Sequence, residues 1–145
     1  MSEKMPQTYA NHTKWVPMFH YVTMPLVLIN LVLSIYQVTQ TFTLESINVL
    51  GVAVAIFVIA LFSRLNALKA QDRVIRLEER LRMQTLFPDD LKPRINDITT
   101  AQIVALRFAS DDELPELTRK VLDNNADQKT IKESVNTWRP DYQRV

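Results

Sequence analysis

Three adjacent carboxylates, Asp111, Asp112 and Glu113, are the first residues whose types suggest chemistry. A general acid and base need two carboxyl groups converging on one cleft. Neighbours at the start of a helix point in different directions, and acids there complement the helix dipole. The run therefore reads as a helix start. His12 and His20 are eight residues apart, in no metal-ligand spacing. The chain has no cysteine, which removes thiol nucleophiles, disulfides and Cys-based metal sites. Gly51 is the sole glycine, so no phosphate-cradling glycine loop exists. Arg64, Asn66 and Lys69 suit a phosphate headgroup but come with no evident base. His20, with Trp15, Phe19 and Tyr21 nearby in sequence, has the makings of an axial ligand to a haem or chlorophyll-type ring. The main expectation is no enzyme, no bound cofactor and no small-molecule substrate.

The elements that position these residues divide by charge. Residues 21–38, "YVTMPLVLINLVLSIYQV", and 47–63, "INVLGVAVAIFVIALFS", carry no charge. A bilayer core of ~30 Å needs about 20 apolar helical residues, with a lower limit near 17. The two segments are expected to form a transmembrane hairpin over 17–63, with spans at about 21–38 and 46–63, following an N-terminal tail over 1–16. A soluble hairpin would leave the remaining charged residues to cover two helices that are apolar all round. The first segment lacks the basic n-region and small-residue cleavage site of a signal peptide. Thr43 or Ser46 is a suitable cap for the second helix. Pro25 either starts the regular first helix after an irregular lead-in or kinks it.

Basic residues orient the hairpin. The linker "TQTFTLES" has none, whereas Arg64, Lys69, Arg73, Arg76, Arg80 and Arg82 follow the second span. Positive-inside bias places both termini in the cytoplasm. Within the spans, Asn30, Ser34 and Gln37 share one helix face, and Gly51 and Ala55 form a small-xxx-small step beside Asn48. These faces serve either the hairpin itself or a second membrane protein. The absence of ionised groups at depth argues against an ion pathway.

No Gly or Pro separates the second span from "RLNALKAQDRVIRLEERLRM", and Pro88 is the first breaker. One helix is expected from Leu44 to Leu86, roughly 65 Å long at 1.5 Å per residue. Its cytoplasmic part, 64–86, carries a heptad-like stripe, Ala67, Ala70, Val74, Leu77 and Leu81. A neighbouring stripe, Lys69, Arg73, Arg76 and Arg80, together with Arg64, suits lipid headgroups or a partner's acids. Asp72–Arg76 and Glu78–Arg82 are expected helix-surface pairs. The C-terminal helices are expected to dock on Val74, Leu77 and Leu81, with self-association as the second use of that stripe.

Residues 87–145 are expected to form a small helical bundle of three helices, ten to fifteen residues each, and a tail. The start signals are Thr99 with Gln102, Ser110 with Glu113, and Asp127. Ile131, Val135 and Trp138 are spaced for one face of the last helix. Residues 64–86 net +3 and 87–145 net −2. The acidic C-terminal part and the acids interleaved in the basic stripe argue against nucleic acid.

The strings "YANH…WVPMFH", "ALKAQDRVIRLEERLR", "IVALRFASDDELPEL" and "IK…W…DYQRV" together resemble a family of small bacterial two-span membrane proteins known only as a domain of unknown function. The resemblance covers nearly the whole chain and implies two spans with a cytoplasmic helical tail, but no reaction. The sequence thus points to an all-α accessory or scaffold protein of the bacterial inner membrane, multi-pass. Its expected partners are membrane lipids and either further copies of itself or a larger membrane complex. The alternative is a cofactor-binding subunit of an energy-converting complex with His20 as ligand.

Overall fold

A computed structural model describes residues 6–142. They are helical, without a strand; an isolated antiparallel bridge joins Ala109 and Trp138. Five α-helices follow one another: α1 (Met24–Gln40), α2 (Leu44–Leu86), α3 (Thr100–Leu106), α4 (Leu114–Asn124) and α5 (Gln128–Glu133). A π-helical turn, Met18–Thr23, leads into α1, and a 3-10 helix, Lys92–Asp97, precedes α3. The chain forms two compact units, one of residues 14–68 and one that joins 6–13 to residues from 69 onward.

In the first unit, Pro25 starts the regular helix. Pro has no N–H to donate to the preceding turn. The wider π turn carries the chain to that point, with the Met24 N–H bonded to Phe19 O and Thr23 Oγ1 donating to Met18 O at 3.0 Å. α2 is capped by Thr43. Its hydroxyl accepts from the Ser46 N–H at 3.2 Å, and Ser46 Oγ accepts from the Thr43 N–H at 3.0 Å. Ser46 also donates to Thr41 O at 2.7 Å, which ties down the short connection between α1 and α2. The second apolar helix thus begins two residues before Ser46.

α2 runs unbroken for 43 residues and ends at Leu86, as the absence of a breaker dictates. Its last turns belong to the second unit, whose core gathers Met83, Phe87, Leu91, Ile95, Ile98, Ile103, Leu106, Leu114, Leu117, Val121, Ile131 and Val135. α3 is at the centre and is buried from Gln102 to Leu106. The Thr99–Gln102 capping box forms in both directions, and Asp127 caps α5 through the Thr130 N–H at 2.8 Å.

Several expectations need correction here. Two of the three C-terminal helices, α3 and α5, are shorter than expected, at 7 and 6 residues, whereas α4, at 11, is within the expected length. α4 starts at Leu114 rather than directly after Ser110; the Glu113 half of the expected box forms, its carboxylate accepting from three backbone N–H groups, that of Ser110 among them. Two of these, Asn136 and Thr137, lie beyond α5. Trp138 is not on α5: the helix ends at Glu133, and the chain returns as the bridge opposite Ala109, with Arg139 N–H donating to Phe108 O at 2.7 Å.

Residues 6–13, expected as a plain tail, pack on the second unit. Gln7 exchanges two hydrogen bonds with the Asp141 backbone, at 2.8 and 3.1 Å. The Asp141 carboxylate meets the buried Arg107 guanidinium at 3.0 Å. The His12 ring lies between Tyr9, Phe108 and Trp138, with centroid separations of 5.6–5.7 Å.

Candidate functional site

Among the described residues, Asp111, Asp112, Glu113, His12 and His20 do not converge on one site. Asp111 pairs with Arg82 at 2.6 Å, and Glu113 is a backbone clamp. Among the described residues no group of three or more His, Cys, Asp or Glu side chains is placed to hold a metal. His20 is half-buried beside the Trp15 ring at 4.8 Å and the Phe19 ring at 5.2 Å. Its Nδ1 faces the Val16 backbone, 2.9 Å from the carbonyl. Tyr21 stacks on Trp15 at 6.2 Å instead of on His20.

What remains are helix faces. In the first unit the fully buried residues are Ser34, Ser46 and Ala53. The less exposed positions of α1 are Met24, Val27, Leu31, Ser34 and Val38, at alternating spacings of 3 and 4. Those of α2 are Ser46, Leu50, Ala53, Phe57 and Ala60, in the same rhythm. Arg64 reaches back over the Phe19 ring, 5.9 Å from its centroid. The polar face expected on α1 is therefore divided. Ser34 turns inward and donates to Asn30 O at 2.8 Å, whereas the Asn30 and Gln37 side chains are exposed. Gly51 and Ala55 lie outside the inward stripe, and nothing stands within 4 Å of where a Gly51 Cβ would be. Small residues at such a position leave room for another helix backbone.

In the second unit the docking face of α2 differs from the expected one. Val74, Leu77 and Leu81 are 54%, 63% and 62% exposed. The core is built instead on Ile75, Glu79, Arg82, Met83 and Leu86. The cause is ionic. Glu79, though buried, is held by Arg82 at 2.8 Å and Arg139 at 3.0 Å, and Arg82 continues to Asp111 and to Ala109 O at 2.8 Å. A charge can be buried when it is paired and hydrogen-bonded. This network fastens α2 to the bridge segments, and Arg82 pairs with Glu79 rather than Glu78. Sequence spacing alone would have offered Ile75, Glu79, Arg82, Met83 and Leu86 as a face, but its two charged members hid it.

The basic stripe occupies a third face. Lys69, Arg73 and Arg76 are exposed, and Arg80 is half-buried. α2 therefore presents a packed face, an exposed apolar face and a basic face in its last five turns.

These features describe an all-helical protein with two helices, Met18–Gln40 including the π turn and Leu44–Leu86, long and apolar enough to cross a membrane. The chain belongs to a family of unknown function (DUF6526), whose profile it matches over residues 1–145. No curated protein and no solved structure matches it.

Proposed function

We propose that this chain is a non-enzymatic accessory or scaffold protein of a bacterial cytoplasmic membrane. In this reading residues 17–63 are a two-span hairpin, both ends are cytoplasmic, and the C-terminal helices form a small bundle that presents α2 to other proteins. The observation that carries it is the inverted burial of residues 14–68. Outward positions of both long helices hold large apolar side chains such as Leu26, Leu33, Ile59 and Phe62, while Ser34, Ser46 and Ala53 are enclosed. In water that surface is an aggregation liability; in lipid it is the ordinary solvent-facing surface, and small residues belong at helix contacts. Gln7 and His12 meeting Asp141, Trp138 and Lys132 supports an even number of crossings, because both flanks of the apolar block are in one unit. Lys69, Arg73 and Arg76 then suit anionic headgroups or acidic partner segments, with about 1 kcal/mol per basic residue near the surface.

The test is purification in mild detergent after crosslinking in native membranes. Recovery in the membrane fraction with partners, or as an oligomer, is expected; a lone monomer sinks the reading. A second reading keeps His20 as an axial ligand, favoured by Val16 holding Nδ1 while Trp15 and Phe19 flank the ring. It predicts a visible absorption band in the native protein that changes in His20→Ala.

A further inference from the structure

We propose that the exposed apolar face of α2, Ala70, Val74, Leu77 and Leu81, docks a second copy of this chain, parallel and in register. The inference rests on the membrane-scaffold reading above and names the partner within it. Val74 and Leu81 fall at heptad position a, and Ala70 and Leu77 at position d. A β-branched residue at a beside Leu at d favours two strands. This face is roughly 170° around α2 from the Ile75–Glu79–Met83 face, at about 100° per residue. The C-terminal core therefore does not cover it, and the three largest members are more than half exposed.

Charge selects the partner and its direction. With Val74 at a, Arg73 and Arg80 occupy g, and Glu78 and Gln71 occupy e. A parallel two-stranded contact places each g residue beside the e residue five positions later on the other chain. Arg73 of one copy then meets Glu78 of the other, twice by symmetry. An antiparallel contact sets g against g and e against e, so that Arg73 would face Arg80 and Glu78 would face the uncharged Gln71. Neither Arg73 nor Glu78 forms an ion pair within the chain among the described residues. Two heptads are a short seam, too weak for free helices in solution. Confinement of both copies to one membrane, in one orientation, raises their effective concentration toward about the mM range, where a short seam suffices.

The cysteine-free chain makes the test direct. Leu77→Cys and Arg76→Cys are oxidised in isolated native membranes. Leu77→Cys is expected to give a disulfide-linked dimer, and Arg76→Cys, on the adjacent basic face, to give little. Adding Arg73→Glu to Leu77→Cys should lower the dimer yield about fivefold, since two attractive pairs become repulsive. Adding Glu78→Arg as well should restore it. Equal yields at positions 77 and 76, no dimer at 77, or indifference to Arg73→Glu would overturn the proposal. Membrane recovery is read on the same samples. A chain in membranes that does not dimerise but is crosslinked to other proteins overturns self-docking and leaves the scaffold reading standing. A chain outside membranes overturns the scaffold reading and, with it, the membrane confinement on which this dimer depends.

Discussion

Residues 14–68 and the unit formed by 6–13 with the chain from 69 onward solve opposite packing problems along one helix. In the first, the enclosed side chains are Ser34, Ser46 and Ala53, and the exposed ones are Leu, Ile, Val and Phe. In the second, Phe108, Met83, Leu91 and Leu106 are fully enclosed, and the buried charges, Glu79 and Arg107, are paired. α2 passes from one regime to the other between Leu68 and Lys69 without a change of backbone conformation. Helix formation is thus indifferent to the surroundings, and the solvent decides which side chains face in. Water drives apolar groups into a core; lipid offers no such drive, and close approach of small residues takes its place.

The sharpest way to break this comparison is to place a carboxylate on each side of α2 in the second unit. Met83→Asp should unfold that unit, because an unpaired buried carboxylate costs several kcal/mol. Leu77→Asp, at 63% exposure, should leave it folded. Limited proteolysis of the full chain in detergent reads both, and rapid cleavage of Leu77→Asp between α3 and α5 would contradict the assignment of faces. Next in size is Arg82→Ala. It removes the closest partner of the buried Glu79 and is expected to cost about 3 kcal/mol, measured by urea melting in detergent. Glu79→Gln combined with Arg82→Ala should recover part of the loss.

A smaller contrast comes from truncation. Leu91→Ala, at a fully buried position, should destabilise by about 3 kcal/mol, while Ile59→Ala, exposed on α2, should stay within about 0.5 kcal/mol. Comparable costs at the two positions would mean that residues 14–68 also depend on a conventional core. The smallest effect is acid sensitivity at α5. The hydrogen bonds from Thr130 hold the Asp127 carboxyl below its ordinary value of 3.8. A lowered folded-state pKa contributes stability that is present above the ordinary value and lost as pH falls through the lower, folded one. Protection of the Thr130 amide against hydrogen exchange should therefore be flat down to about pH 5 and decline only below pH 4. In Asp127→Asn, which keeps the cap, this decline should vanish.

How much was legible follows the same division. The extent of α2 and the caps at Thr99 and Asp127 are local matters, encoded by breakers and short polar side chains, and the proline at 25 left open an irregular lead-in or a kink, of which the structure has the lead-in, as a π turn. The face on which α2 packs was not legible. Val74, Leu77 and Leu81 are the more apolar stripe, and the true face contains Glu79 and Arg82, whose burial depends on Asp111 and Arg139 far along the chain. That Ser34 turns inward without Asn30 and Gln37 was hidden for a related reason: periodicity groups the three, but only the neighbouring helix determines where the inward stripe is centred. Docking of residues 6–13 left no trace in the sequence, since Gln7 bonds to the backbone of Asp141, which any residue type there would supply.

That last contact bears on the order in which the molecule is made. Gln7 and Asp141 are 134 positions apart, so during synthesis the earlier segment waits for the later one. In the spanning arrangement proposed above, a chain that inserted just one apolar helix would strand its beginning and its end in different compartments. The Gln7–Asp141 clasp and the ring stack around His12 would then never close. In that arrangement, completion of this unit would act as a check on insertion: correctly threaded copies would pack Phe108 and Trp138 against the His12 ring, and misthreaded ones would leave that side uncovered.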